Sequence, residues 1–496
     1  MDDAAGPATR AEHGTRGDGP VRGAKMPRWY VTLFASDAME RFGFYGLQAI
    51  LVLYAAAPAE RGGLGLAMTD AAALFGAWIG LMFMLSLVGG WVGDRWLGNR
   101  TALFAGSAVN VAGYLLLSIP AGWTAAVALP LLAIGGAVYK PNHQAMINRM
   151  FGGSRSREAG ISLMYVASQI SALLAPLIAG YLGERVSWHL AFLTIALVLL
   201  ATTIQLRLTA GQFGGVGTTA IRPLDTAERR ATVRRLVLSC LAIVVVLAGL
   251  AIAGLLNATV AIGAIGLLSV VTPIVCYVRL RGDPALGPDD RRRLTFFLFV
   301  YLGSALFWMI VAHAASLLNL FARDHVDLDV LGFVLPASWL QAATPLFILL
   351  LAPVIASVLP RWGGRNNVGT KFSAGLFLVG SGFLVMSVAT SLVTDGGDKI
   401  SPWWMVVVYL THACGEVIIA AVTISAAADV LPAGFLGRTL GMLWLFAGLG
   451  GGIGSGVVRL NTVMPEPLYY SLLGSVAILC GLAFWAGRRA LTRGLS

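Results

Sequence analysis

Long apolar runs separated by short polar stretches make up most of this chain. A helix that crosses a bilayer needs about 20 mostly apolar residues. Fourteen runs qualify: 29–57, 70–93, 101–120, 124–150, 158–182, 187–209, 235–255, 259–280, 294–322, 332–359, 368–392, 402–431, 436–460 and 467–487. The pattern predicts an all-α membrane protein with fourteen transmembrane helices. An even number of spans puts both chain ends on one side.

Charge then orients the bundle. Cytoplasmic segments of membrane proteins carry an excess of Lys and Arg. With the N-terminus in the cytoplasm, 28 of the 35 Lys and Arg residues fall on that side. Arg41 and Lys140 lie within the membrane, and only Arg61, Arg185, Arg323, Lys399 and Arg459 fall outside. The expectation is a multi-pass protein of the cell inner membrane with both termini cytoplasmic. The bias also accounts for the net charge of +11 without nucleic acid, because the basic residues are spread over every second loop. The composition, 57% hydrophobic and 12% charged, excludes a soluble domain of this size. Residues 1–28 are polar, Gly-rich and basic, with no apolar core or cleavage site of a signal peptide, and read as a disordered cytoplasmic tail. The four cysteines (Cys240, Cys276, Cys414, Cys480) sit in apolar runs, with neither disulfide nor zinc spacing.

Five charges stand where lipid or packed helix is expected: Asp37, Glu40 and Arg41 in the first run, Lys140 in the fourth and Glu416 in the twelfth. Such charges are expensive in a bilayer; they face a bundle interior or a water-filled space and mark a functional path. Positions 37, 40 and 41 share one helix face. In low dielectric an acid pairs with a base or takes up a proton, so two acids beside two bases form a set whose pairing changes with one proton. The inventory suits a proton-coupled site for a small molecule that carries both charges. The competing reading, an intrahelical structural cluster, weakens once Lys140 and Glu416 are included. His313 lies in a span and is either titratable or a packed neutral histidine; His143 and His412 read as structural.

One internal repeat is visible. The loop Asp94-Arg95-Trp96-Leu97-Gly98 after the second run is echoed by Arg361-Trp362-Gly363-Gly364-Arg365 after the tenth. If runs seven and eight are an inserted pair, the two loops occupy matching places in two six-helix halves. Parallel six-helix repeats with a site between them describe the major facilitator architecture. The domain reading is then 1–28 tail, 29–209 first bundle, 210–234 linker, 235–293 inserted hairpin with its linker, 294–487 second bundle and 488–496 tail.

From here the residues resemble the proton-coupled oligopeptide transporter family of that superfamily, as a divergent bacterial-type member. The family signature ExxERFxxYG appears as Asp37-Ala38-Met39-Glu40-Arg41-Phe42-Gly43-Phe44-Tyr45-Gly46. Lys140-Pro141, Tyr165, Phe307-Trp308, Pro336-Ala337-Ser338-Trp339, Gly415-Glu416 and Gly441-Met442-Leu443-Trp444 follow in family order. The resemblance implies a proton-coupled symporter importing di- and tripeptides by alternating access. Arg41 and Lys140 would receive the peptide carboxylate and Glu416 the amino terminus. Asp37, Glu40, Arg41 and Lys140 would couple protons. Tyr45, Gln169, Trp308, Thr344 and Trp444 would complete the binding site. Asp94 and Arg95 read as a structural or gating loop. No cofactor is expected beyond the proton gradient; the partners are short peptides, protons and the lipid bilayer, and the protein is expected to be a monomer.

The chain departs from the family pattern at defined places. Gln48 replaces a usual Arg, and Ala312 replaces its usual acidic partner. Losing both leaves a neutral contact rather than a stranded charge, so the outer gate is changed. Gln169 and Thr344 stand for two Asn, Phe44 and Phe83 for two Tyr, and Ala421 for a Pro. The charge pattern for a zwitterion survives while its neutral polar lining thins. A same-fold transporter of a modified peptide, an amino-acid-like compound or an organic anion, and a non-transporting sensor, are the alternatives. An enzyme is not expected: the chain has no His-Glu-x-x-His, no Gly-x-Ser-x-Gly and no nucleotide-binding Gly-Lys-Ser/Thr loop.

Overall fold

The computed structural model describes residues 26–151, 157–255, 257–361, 367–393, 399–432 and 435–495. Residues 1–25 of the expected tail and residues 362–365 of the second repeat loop lie outside the described residues. The first half comprises α1 (Arg28–Ala56), α2 (Met68–Val92), α3 (Asn99–Leu117), α4 (Thr124–Phe151), α5 (Arg157–Tyr181) and α6 (Trp188–Leu208). The inserted pair is α7 (Thr226–Ile252) and α8 (Ala258–Arg281). The second half comprises α9 (Pro288–Val311) with α10 (Leu317–His325), then α11 (Ala343–Val358), α12 (Val368–Ser391), α13 (Trp403–Val430), α14 (Leu436–Val457) and α15 (Glu466–Ala486).

Among the described residues, 13 helices are long and apolar enough to cross a membrane. Helix α1 is not among them, although its 29 residues give ample length. Its apolar run is interrupted by Asp37, Glu40 and Arg41. This helix is the one that must be screened from lipid by its neighbours, and it packs on α5, α6 and α2.

Several boundaries differ from the hydropathy reading. The run 294–322 is not one helix: α9 ends at Val311, a 3-10 turn occupies Ala312–Ala315, and Ser316 turns the chain out of helical geometry (φ −125°, ψ −105°) before α10. The run 332–359 opens not as helix but on the end of a two-stranded hairpin, Asp329–Val330 with Phe333–Val334, followed by a 3-10 turn over Ala337–Ala342. The last nine residues of the expected linker are helical, because Asp225 and Glu228 form a reciprocal cap that starts α7 at Thr226. Residues after 487 form a short helix, α16 (Arg488–Leu495), which packs on α9 and α12.

Close helix approach places the site. Pro141 has no N–H to offer the Ala137 carbonyl one turn earlier, and α2 crosses at that point. A side chain on Gly89 would overlap the Ala137 carbonyl, so only glycine lets the helices meet there. Asn142 locks the crossing by donating to the Gly89 carbonyl at 2.9 Å. The halves meet through α2 and α14 at a similar small-residue seam, where a Cβ on Gly76 would lie 2.7 Å from the Gly451 carbonyl oxygen. Helix α8 packs on both of these helices, while the α7 side chains described from Arg234 to Ala248 are exposed.

Candidate functional site

The expected charged group forms within the first half. Asp37, Glu40 and Arg41 follow one face of α1. Arg41 Nε lies 3.8 Å from Asp37 Oδ1 and 4.0 Å from Glu40 Oε2. Glu40 is buried, and its Oε2 has no hydrogen-bond partner. Lys140 comes from α4, within electrostatic range of all three. Its ammonium sits 4.9 Å from the Trp444 ring centre and 5.8 Å from that of Phe83, and these two rings stack on each other. Trp444 belongs to the second half, so Lys140 is held across the interface by a cation–π contact.

Glu416 stands on α13 in the opposite half. Its charge acts on Tyr45 of α1 and Tyr165 of α5. Tyr45 also feels Arg41; it therefore lies between the basic group and Glu416. Gln169 is buried near Tyr165. Trp444 and Tyr165 reach toward the other half yet remain 41% and 45% exposed, so the space between the halves is open at this level. Trp308 packs edge-on against Phe307, and Thr344 is part-buried at the start of α11; among the described residues neither joins the charged group by a hydrogen bond or ring contact.

At the end of the bundle opposite the chain termini, here called the distal end, the halves are tied together. Glu184, which follows α5, accepts hydrogen bonds from the Ala337 N–H (2.8 Å), the Ser338 N–H (3.0 Å) and the Ser338 hydroxyl (2.5 Å). These are the unpaired first N–H groups of the 3-10 turn, where a carboxylate is most favourable. The Ala49 carbonyl accepts from Asn319 at 2.7 Å and from Gln341 at 3.2 Å. Trp339 donates to the Leu177 carbonyl, and Arg459 pairs with Asp70. Ala49 follows Gln48 in the chain.

Asp94 and Arg95 lie at the other end, away from the charged group. Asp94 accepts from Asn99, which also bonds Asn142 and accepts from Arg149; Arg95 pairs with Glu228 at 2.9 Å. They pin the start of α3 to α4 and to the base of α7. Nearby, the Asp283 carboxyl is held below the usual carboxylate range by the Ala285 N–H and by Arg438. Among the described residues no group of three or more His, Cys, Asp or Glu is placed to hold a metal ion.

Sequence reading missed three groups of residues. Glu184 and Ser338 are 154 positions apart, and nothing local pairs them. Asn319 was not singled out, and Gln341 stood only as a motif residue beside Pro336-Ala337-Ser338-Trp339, with no sign that the two share the Ala49 carbonyl. His143 sits three residues after Lys140, on its face of α4. That spacing was a usable signal. By contrast, His313 is buried between the Met309 carbonyl and the Tyr469 hydroxyl, a packed core histidine.

Two six-helix halves around a charged interface, closed at one end, define a membrane transporter of the major facilitator fold. Residues 100–472 match the model of the POT family, and the chain belongs to that family, a family of transporters. Over 477 residues it is 28% identical to a di-/tripeptide transporter of Lactococcus lactis subsp. cremoris, covering 92% of this chain and 94% of the relative. It is also 28% identical over 459 residues to the uncharacterized transporter YclF of Bacillus subtilis (strain 168), covering 92% of each. Among solved structures, the peptide transporter POT in complex with sulfate superposes with a TM-score of 0.90 at 31% identity, covering 95% of this chain and 96% of that one.

Proposed function

We propose that this protein is a proton-coupled symporter that imports di- and tripeptides by alternating access, with both termini in the cytoplasm. The observation that carries the reading is the opposition of charges across the interface. Arg41 and Lys140 stand on the first half, Glu416 on the second, and Tyr45 between them. Arg41 and Lys140 receive the carboxylate, and Glu416 receives the ammonium. A zwitterion that bridges the two favours closure of the halves, which is the differential affinity alternating access needs. Glu40, buried without a hydrogen bond at Oε2, is the acid whose protonation relieves the group when a carboxylate arrives. With the Lys and Arg bias setting orientation, the contacts at the distal end close the outer face, and the space at Lys140 and Glu416 opens inward.

The test is binding of a dipeptide of two small apolar residues to the purified protein, beside its N-acetylated and C-amidated forms. The expected result is that both blocked forms bind at least tenfold more weakly, and that Glu416→Gln abolishes the distinction at the amino end only. Equal affinity for all three would remove the zwitterion site. Binding of an organic anion in preference to the dipeptide would favour the same-fold alternative.

A further inference from the structure

We infer that His143 and Asp37 form a second proton-binding pair, in which one proton is held jointly and neutralises an incoming carboxylate. His143 is 3% exposed and lies one turn beyond Lys140 on α4. Its Nε2 is 2.8 Å from the Leu33 carbonyl oxygen. A carbonyl oxygen only accepts, so Nε2 carries hydrogen. Its Nδ1 faces Asp37 Oδ1 at 3.6 Å. A neutral ring with hydrogen on Nε2 presents a lone pair at Nδ1. A lone pair and a carboxylate facing each other away from water repel. The contact is favourable only when a proton sits on Nδ1 or on Asp37. In either description the pair holds one proton more than a neutral imidazole beside a carboxylate, and that proton belongs to the pair.

The neighbours fix what this proton does. From α1, the groups around the pair are Tyr30, Glu40 and Arg41; from α4, Lys140 and Tyr139, whose ring stacks on His143 at 5.5 Å; from α3, Tyr114, which faces Glu40 and donates to the Gly43 carbonyl. Asp37 and Glu40 balance Arg41 and Lys140. While Glu40 is ionised, the proton on the His143–Asp37 pair therefore gives this group of charged side chains one net positive charge, which a substrate carboxylate cancels. The proton held on the pair favours the carboxylate, and loss of either disfavours the other. His143 acts through Asp37 and Arg41, as a positioning and proton-holding residue. The substrate part of this inference rests on the proposed function; the proton count does not.

The direct test is nitrogen-15 NMR of the imidazole rings in the purified, ligand-free protein, with the His143 signal assigned by its loss in His143→Gln. Spectra are taken from about pH 5 to 8, where free histidine titrates, alongside the carboxylic acid stretch assigned by Asp37→Asn. The inference expects either a His143 ring protonated at both nitrogens or a protonated Asp37 at neutral pH, and a neutral His143 ring in Asp37→Asn. A neutral His143 beside an ionised Asp37 throughout would overturn it. The second readout is dipeptide affinity against pH. Wild-type affinity falls as pH rises and the pair loses its proton, and His143→Gln, which keeps an N–H for Leu33, flattens the profile at least threefold. Parallel profiles would overturn the link to substrate. If wild type binds no dipeptide, the proposed function fails while the NMR result still decides the proton pair.

Discussion

The Glu184 contact makes the sharpest prediction about conformational balance. Its carboxylate takes three hydrogen bonds from the first turn of the segment leading into α11. Hydrogen bonds to a charged group contribute about 1.5–3 kcal/mol each. Glu184→Gln removes the charge and turns one acceptor oxygen into an NH2 group that faces another donor, so one or two of the three bonds are lost. Water reaches these groups once the distal end opens, which recovers part of the loss there. A net shift of about 2 kcal/mol toward the open distal end follows, roughly thirtyfold in the ratio of the two states. Ser338→Ala removes only the hydroxyl bond and shifts the ratio by about 1 kcal/mol, roughly fivefold. The assay is electron–electron distance measurement between nitroxides at Gly122 and Val463, both exposed at the distal end, in a background without Cys240, Cys276, Cys414 and Cys480. The long-distance population should grow in the order wild type, Ser338→Ala, Glu184→Gln. Superimposable distance distributions for wild type and Glu184→Gln would refute the reasoning.

The same label pair tests the amide contacts: Asn319→Ala and Gln341→Ala each open the distal end little, because the other amide still serves the Ala49 carbonyl, and the double variant exceeds the sum of the two; strict additivity would argue against a shared acceptor. Gly89→Ala puts a methyl into the Ala137 carbonyl and should lower stability by about 1–3 kcal/mol, read as a lower Tm of the detergent-solubilised protein; an unchanged Tm would show that α2 and α4 are not in close contact there. Asp283 has a depressed folded-state pKa, so its contribution is present at neutral pH and is lost as pH falls below the ordinary carboxylate range. Arg438→Ala should therefore lower Tm at pH 7 and make less difference in acid; a difference that grows with acidity would contradict the assignment.

Much of this architecture was legible along the chain because lipid imposes a simple demand: about 20 apolar residues per span, with charges tolerated only where they are screened. The exceptions, Asp37, Glu40, Arg41, Lys140 and Glu416, therefore announced themselves. The break at Ala312–Ser316 did not, because residues 311–318 stay mostly apolar across it and hydropathy does not register a turn inside a bundle. The Phe333–Val334 strand was absorbed into a span for the same reason. Pairings between distant elements were the least legible. Glu184 is held by two backbone N–H groups freed by a 3-10 turn and by the Ser338 hydroxyl 154 positions away, and His143 Nε2 meets a backbone carbonyl 110 residues away; backbone partners leave no side-chain signature, and one distant hydroxyl leaves little. The start of α7 was different, since the cap Asp225-x-x-Glu228 was present in the sequence and masked only by the basic residues that follow it.

The most direct test of the account is uptake of a labelled dipeptide of two small apolar residues into tight proteoliposomes, with and without an inward proton gradient, by wild type, Lys140→Ala and Glu416→Gln. The account predicts accumulation that requires the gradient in wild type and is lost in both variants. Concentrative uptake that persists in the variants, or an absence of gradient-driven uptake by correctly reconstituted wild type, would contradict it.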